Sequence, residues 1–561
     1  MTTVRDATFD VLRRYGLTTV FGNPGSTEVT LLTGLPDDLR FVLALHEGSV
    51  VGMATGWAIG QEAPALAVLH TTAGLGNAVG AIATARVNRV PLVILVGQQD
   101  RRHLALEPFL AGRIHGLAGD YPVWVDQPVR AQDVPGAVAR AFHEATTFHG
   151  PALVVVPMDD WGAPFSGSSG EPVAAAVRVV RPVAVADGDL AALVELLSGA
   201  RSPAIVAGAR AEWESLVLLA ERLGCPVFQE SFGGRAGFPQ DHPQYAGVLP
   251  ADRVRLREAL APHDVVLAVG APVFRQYPYA PGPLVMPGTS VAVVTDDPAE
   301  AHRSPASLAY LASPSAVCAR LAALLPARPA VARRSDVPDL SARPAVARRS
   351  DVPDLSARPA VARRSDVPDI PGPPAEGRPL RAAHVLRELA LRLPADTALI
   401  EETPSSRPDL HRLVPARNPL GFLSAAMGGL GFAVPAAVGL RMALPERPVV
   451  AVVGDGSALY GVHALWSAAH YRVGALFVVL ANGRYAIMDR LADKQGGKAP
   501  WPPFTEVDMR GLARSLGCPA RRVDTYDELT AALDEVLPTL STRDEPLLLD
   551  VTVTVDPDFQ P

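Results

Sequence analysis

Short runs of consecutive apolar residues alternate along this chain with longer segments that mix apolar and polar positions. Ala65–Leu69 and residues 91–96, 152–156, 203–206, 264–269, 290–294, 449–453, 476–480 and 547–555 are of the first kind. Unbroken Val, Leu and Ile runs read as strands buried on both faces, and the segments between them as the helices that cover them. The pattern therefore predicts an α/β protein of parallel sheets, divided into three units over residues 1–165, 180–325 and 376–561. Between the last two lies a tandem repeat of 15 residues: ARPAVARRSDVPDLS fills 327–341, recurs at 342–356, and recurs again from 357 until it diverges at Ile370. Each copy holds two prolines and three arginines and little apolar surface, so residues 326–375 are expected to form an extended, mobile linker rather than a core.

Composition narrows the class. With 561 residues, 48% hydrophobic and only 19% charged, the chain can bury several large cores. A net charge of −7 and the lack of a basic stripe argue against a nucleic-acid partner. Cys225, Cys318 and Cys518 are odd in number and far apart, which fits neither a disulfide framework nor a zinc site. Residues 1–14 mix charges without an apolar stretch, and no apolar run reaches the length of a membrane span. A cytoplasmic location without a membrane partner is the expectation.

Candidate chemistry clusters just past the apolar runs. The run 449–453 passes into Gly454-Asp455-Gly456-Ser457, a tight turn opening a helix, where the backbone N–H groups of Gly456 and Ser457 suit a diphosphate. The run 476–480 delivers Asn482 to the same edge. A carboxylate, an amide oxygen and a nearby backbone carbonyl are hard ligands that suit Mg²⁺ bridging to phosphate. Near the start of the chain, Ser26 follows Phe21-Gly22-Asn23-Pro24-Gly25, Glu47 follows a strand expected over 41–45, and His70 follows Ala65–Leu69. All three lie beyond carboxyl ends of strands, the edge where open parallel sheets bind ligands. Singly, each has a plainer reading: Ser26 as a helix N-cap with Glu28 in the first turn, Glu47 as a solvated strand-end charge, His70 as a loop histidine. A hydroxyl, a carboxylate and an imidazole converging beside a metal–diphosphate cradle favour a catalytic site.

The GDG turn followed by Asn482 resembles the thiamin diphosphate signature. FGNPGSTE at 21–28, HEG at 46–48, LHTTAGLGNAVGA at 69–81, GQQ at 97–99, VPMDDW at 156–161, APVFR at 271–275 and GGLGFAVPAA at 428–437 extend the likeness over nearly the whole chain outside the repeat. On these motifs the chain resembles the thiamin diphosphate-dependent decarboxylases of 2-keto acids, and among them the benzoylformate decarboxylases. The resemblance implies three doubly wound parallel-sheet domains: pyrimidine-binding, middle, and diphosphate- and Mg-binding. It also implies a homotetramer with each active site between two chains.

By the same resemblance, Glu47 would activate the aminopyrimidine of the cofactor, Ser26 would hold the substrate, and His70 would relay protons. The Gly428 carbonyl and the Leu430 side chain would support a bent cofactor. Ser405, Gly454, Asp455, Gly456, Ser457, Asn482 and Tyr485 would also contact it, with Asp455, Asn482 and the carbonyl of Arg484 on the metal. Ser26, Leu110, Ile487, Met488 and Leu491 would line the substrate pocket.

Two departures stand out. Ala481 replaces the first Asn of an Asn pair, and the segment after APVFR has no histidine, Tyr277 falling at its position. A phenol titrates near pH ~10 and donates protons poorly at neutral pH. The implied reaction is decarboxylation of an aromatic 2-keto acid to the aldehyde and CO2. The alternatives are carboligation to a 2-hydroxy ketone, a flavin-containing acetolactate synthase-like activity, and a non-catalytic member.

Overall fold

Three six-stranded sheets, every strand pair parallel, organise the computed structural model, which describes residues 2–165, 183–277, 279–328, 372–375 and 377–556. The first sheet comprises β1 (Thr19–Gly22), β2 (Arg40–Leu43), β3 (Ala65–Leu69), β4 (Leu92–Gln98), β5 (Trp124–Asp126) and β6 (Pro151–Pro157), in the order β2-β1-β3-β4-β6-β5. The second comprises β7 (Pro203–Ala207), β8 (Val227–Gln229), β9 (Tyr245–Val248), β10 (Val265–Val269), β11 (Ser290–Thr295) and β12 (Leu308–Leu311), in the order β12-β11-β10-β7-β8-β9. The third comprises β13 (Ala398–Glu402), β14 (Leu423–Ser424), β15 (Val449–Gly454), β16 (Leu476–Ala481), β17 (Ala520–Val523) and β18 (Leu547–Thr552), in the order β14-β13-β15-β16-β18-β17. The same unit thus recurs three times, each with helices between strands.

The central strands are those the apolar runs predict, because β3, β4, β6, β15 and β16 are buried almost throughout. Two strands end short of expectation, and the others match their runs to within two residues. The strand expected over 41–45 is β2, Arg40–Leu43, which stops before His46, and the one expected over 547–555 ends at Thr552. The repeat expected to act as a linker lies almost wholly outside the described residues.

The chain divides into two compact units. One, made of residues 1–181, 396–405 and 423–561, contains the first and third sheets; the other, residues 182–395 and 406–422, contains the second. Within the first unit, helix Glu47–Gln61 lies directly on helix Ala433–Ala443. Gly52, Gly56 and Gly60 recur every fourth residue and so share one face. A Cβ on Gly56 would sit 2.0 Å from the Ala436 carbonyl oxygen, and one on Gly439 of the facing helix 1.8 Å from the Met53 carbonyl. The two backbones touch because neither carries a side chain there.

Candidate active site

In the first sheet the chain reverses its direction of travel between β1 and β3, and in the third between β13 and β15. Such switch points leave a crevice beyond the strand ends, and the candidate residues sit at both.

β1 runs into Asn23-Pro24-Gly25-Ser26, with Ser26 exposed. Ser26 caps no helix: the short helix Val29–Leu32 begins after Glu28, and Glu28 is only 2% exposed. His70, the residue before helix Thr71–Val87, meets this segment. Its Nδ1 lies 2.9 Å from Thr27 Oγ1 and 3.0 Å from Glu28 Oε2. The Thr27 hydroxyl donates to Glu28 Oε1, and the Gly25 N–H donates to Glu28 Oε2 at 2.8 Å. A carboxylate facing Nδ1 puts the ring proton there and leaves Nε2 as the working nitrogen. Glycine is required around this cluster. A Cβ on Gly25 would lie 2.3 Å from the His70 ring, and one on Gly97 1.8 Å from Glu28 Oε1.

Glu47 is the first residue of its helix and is 8% exposed, not a solvated strand-end charge. Asn23 Nδ2 donates to its Oε1 at 3.1 Å, and Asn77 Nδ2 to its Oε2 at 3.0 Å. Two amides thus fix the plane of the carboxylate. Next to His70, Thr71 holds φ +41, a strained value for a β-branched residue. Among the described residues the hydroxyls of Thr71 and Thr72 are buried without a partner, which fits a bound polar ligand.

At the third sheet, β15 and β16 are neighbours with Gly454 opposite Leu480, which brings the GDG turn beside Asn482. Asp455 is 6% exposed and opens helix Asp455–Gly461. Its Oδ1 accepts from Gly456 N–H at 2.8 Å and its Oδ2 from Gly483 N–H at 2.6 Å. The Gly456 amide expected to face a diphosphate is therefore turned onto Asp455. Burial pushes the Asp455 carboxyl up, against the pull of these amides, and among the described residues no Lys or Arg pairs with it. A buried carboxylate without a protein cation fits a divalent metal. Asn482 Oδ1 accepts from Arg484 N–H at 3.0 Å and keeps a second lone pair. The Arg484 side chain pairs with Asp489.

Ser405, just after β13, accepts the Ile487 N–H at 3.1 Å, which leaves its own O–H free to donate. Tyr485 packs on Phe504 and closes over Gly456, where a Cβ would lie 2.6 Å from its ring. Gly428 and Leu430 are exposed on the loop after β14, and Met488 is half exposed, with Ile487 and Leu491 partly buried. Leu110 lies in the loop before β5 with φ +68. Glu402, the last residue of β13, is buried against the N-terminus of helix Ala433–Ala443. Burial pushes its carboxyl up to about 7, opposed by three backbone amides. Tyr277 belongs to the second unit, in the segment after β10, with its N–H bonded to the Ala251 carbonyl and its ring 63% exposed.

The structure thus brings His70 to Glu28, Asn23 and Asn77 to Glu47, and Asp455 to the Asn482–Arg484 turn. Among the described residues no hydrogen bond or ion pair joins the Ser26, Glu47 and His70 set to the Asp455 and Asn482 set. The sequence marks Glu28 only as a first-turn acid and does not mark Asn23, Asn77 or Glu402 as site residues, although Glu28, Asn23 and Asn77 lie inside the motif segments.

Family models match the same three parts: a thiamine pyrophosphate enzyme N-terminal TPP binding domain over residues 2–118, a central domain over 190–321, and a C-terminal TPP binding domain over 405–551. A benzoylformate decarboxylase of Pseudomonas aeruginosa is 38% identical over 99% of this chain and 100% of its own. The chain belongs to the thiamin diphosphate-dependent 2-keto acid decarboxylase family. Solved structures agree. The thiamine diphosphate-dependent 4-hydroxybenzoylformate decarboxylase of Rhodococcus jostii RHA1 superposes with a TM-score of 0.87 at 34% identity, covering 99% of this chain and 100% of that one. The benzoylformate decarboxylase of Polynucleobacter necessarius gives 0.86 at 30% identity, with full coverage of both. This family member is a carbon–carbon lyase with thiamin diphosphate as its cofactor.

Proposed function

We propose that the protein removes CO2 from an aromatic 2-keto acid of the benzoylformate type, using thiamin diphosphate held through Mg²⁺, and releases the aldehyde. The observation that carries this reading is the pair of buried carboxylates at the two switch points, Glu47 in its amide clamp and Asp455 without a protein cation among the described residues. Asp455, Asn482 and the Arg484 carbonyl would hold the metal. The Ser405 hydroxyl and the backbone of Gly454 and Ser457 would meet the diphosphate, with Tyr485 packed beside them, while the Gly456 amide stays on Asp455. When bound, thiamin diphosphate supplies the nucleophilic carbon and the electron sink. Glu47 would exchange a proton with the aminopyrimidine ring from a fixed position. The Gly428 carbonyl would accept from the cofactor's amino group, and Leu430 would pack against the cofactor. Ser26 would bind the substrate carboxylate, and His70, oriented by Glu28, would move protons through Nε2. Leu110, Ile487, Met488 and Leu491 would form the apolar wall. Proton donation by Tyr277 rests on its place in the motif alone.

An active site completed by a second copy, within a homotetramer, belongs to the same reading, as does a cytoplasmic location. Helix Thr71–Val87 supports the first point: its 17 residues span ~26 Å. His70 stands at its start, while Asn88 at its end bonds the loop that carries Leu430. One chain thus holds these two parts at opposite ends of a helix.

Carboligation is the second reading, favoured by Tyr277 in place of a histidine. Product analysis with benzoylformate, thiamin diphosphate and Mg²⁺, with and without acetaldehyde, separates the two. Benzaldehyde as the main product in both cases supports the decarboxylase. A 2-hydroxy ketone formed at its expense supports the ligase, and no CO2 from any 2-keto acid would overturn both.

A further inference from the structure

The loop between β14 and helix Ala433–Ala443 carries Gly428 and Leu430. Its crest is exposed and has no regular structure, with Gly428 at φ +75 and Gly431 at φ +94. Such a segment has no conformation of its own to defend, yet both of its ends are tied.

At the entry, the Asn88 side chain acts as a short piece of strand. Its Nδ2 donates to the Ser424 carbonyl at 2.9 Å, and its Oδ1 accepts from the Ala426 N–H at 2.8 Å. The Ser424 hydroxyl donates to Glu401 Oε2 at 2.9 Å. At the exit, Glu402 Oε1 accepts from Gly431 N–H at 2.6 Å, and Oε2 accepts from Phe432 and Ala433 N–H at 2.8 and 2.7 Å. Glu402 is 3% exposed. It does more than cap a helix, because its bond to Gly431 reaches into the loop immediately after Leu430.

We infer that Asn88 and Glu402 are positioning residues that set where the Gly428–Leu430 crest stands relative to the cofactor. Asn88 ends the helix that His70 begins, so the same bonds tie the crest of one site to the helix bearing the proton-relay histidine. The inference rests on the thiamin diphosphate reading of the site. It assigns to two residues outside the motif's contact set a role in the chemical step rather than in cofactor affinity.

The test uses the full-length holoenzyme carrying Asn88→Ala, Glu402→Gln or Leu430→Ala. Cofactor affinity is read by fluorescence quenching on titration with thiamin diphosphate and Mg²⁺, and activation by the rate of deuterium exchange at C2 of the bound cofactor. Asn88→Ala and Glu402→Gln are expected to bind the cofactor as wild type does, because Asp455 and Asn482 are untouched. C2 exchange and kcat should fall together by about 10²-fold in Glu402→Gln, the scale of an ångström misplacement, and by less in Asn88→Ala. Asn88→Asp, which keeps the acceptor for Ala426, should restore part of the rate.

Wild-type exchange in both clamp variants, with exchange slowed in Leu430→Ala, would overturn the inference and leave the cofactor reading intact. Wild-type exchange in Leu430→Ala would instead overturn the reading of the loop itself. Should Glu402→Gln fail to fold, the two Asn88 variants decide the matter.

Discussion

Replacing Gly56 by alanine tests the packing that holds the Glu47 helix in place. Two effects oppose each other. Alanine in a helix interior is favoured over glycine by ~1 kcal/mol. Against that, the new Cβ would lie 2.0 Å from the Ala436 carbonyl oxygen and 2.7 Å from its carbon, where ordinary contact begins at 3.4 Å. The obstacle is helix backbone, which cannot rotate away as a side chain can. The two helices must part by more than an ångström, and overpacking of that kind costs ~1–3 kcal/mol. With the clash at the upper end of that range, Gly56→Ala should be destabilised by ~2 kcal/mol. Gly80→Ala is the control, because a Cβ there meets nothing within 4 Å, so only the propensity gain remains. The assay is urea denaturation followed by circular dichroism, scored as the shift in the first midpoint, since a chain of two units need not unfold in one step. Gly56→Ala should shift down and Gly80→Ala should hold or rise. A Gly56→Ala midpoint equal to that of wild type would refute the close-packed interface.

Glu47→Gln should fold, since one amide flip at Asn23 or Asn77 relieves the donor conflict it creates. It should nevertheless lose ~10²–10⁴-fold in kcat by steady-state assay. Gly97→Ala should displace Glu28 and with it His70, lowering kcat more than cofactor affinity; unchanged turnover would contradict the tight fit at that point. For the second unit, burial pushes the Glu230 carboxyl from 4.5 up to about 7. The folded state then binds a proton that the unfolded chain has released, so this group's contribution to stability is full below pH ~4.5 and falls as pH rises towards 7. The slope should approach ~1.4 kcal/mol per pH unit. Unfolding free energies from urea denaturation at a series of pH values should show this slope in wild type and a flatter one in Glu230→Gln.

The parts of this protein legible in its sequence are those whose neighbours are close along the chain or buried on both faces. β3, β4, β6, β15 and β16 announce themselves as unbroken apolar runs. Edge strands do not: β17 reads Ala-Arg-Arg-Val with Arg521 exposed, β12 alternates half-buried and exposed positions, and β14 is two residues long. Ser26, Glu47, His70 and Asp455 are found because each follows a strand, and strand ends of one sheet share an edge. Their partners depend on contacts distant in sequence. Glu28 looks like an ordinary first-turn acid until His70 is seen resting against it, 42 residues on. Glu402 lies 29 residues from the Gly431 amide it holds. Nor does the motif reveal that the Gly456 amide turns onto Asp455, because that follows from the conformation of the turn, not from its composition.

The most direct test of the account is CO2 release from benzoylformate by the purified protein, measured with and without thiamin diphosphate and Mg²⁺, beside the Glu47→Gln variant. Cofactor-dependent decarboxylation through Glu47 predicts CO2 matched mole for mole by benzaldehyde, dependent on added cofactor and nearly abolished in Glu47→Gln. Release that persists without cofactor after its removal, or at the wild-type rate in Glu47→Gln, would contradict it.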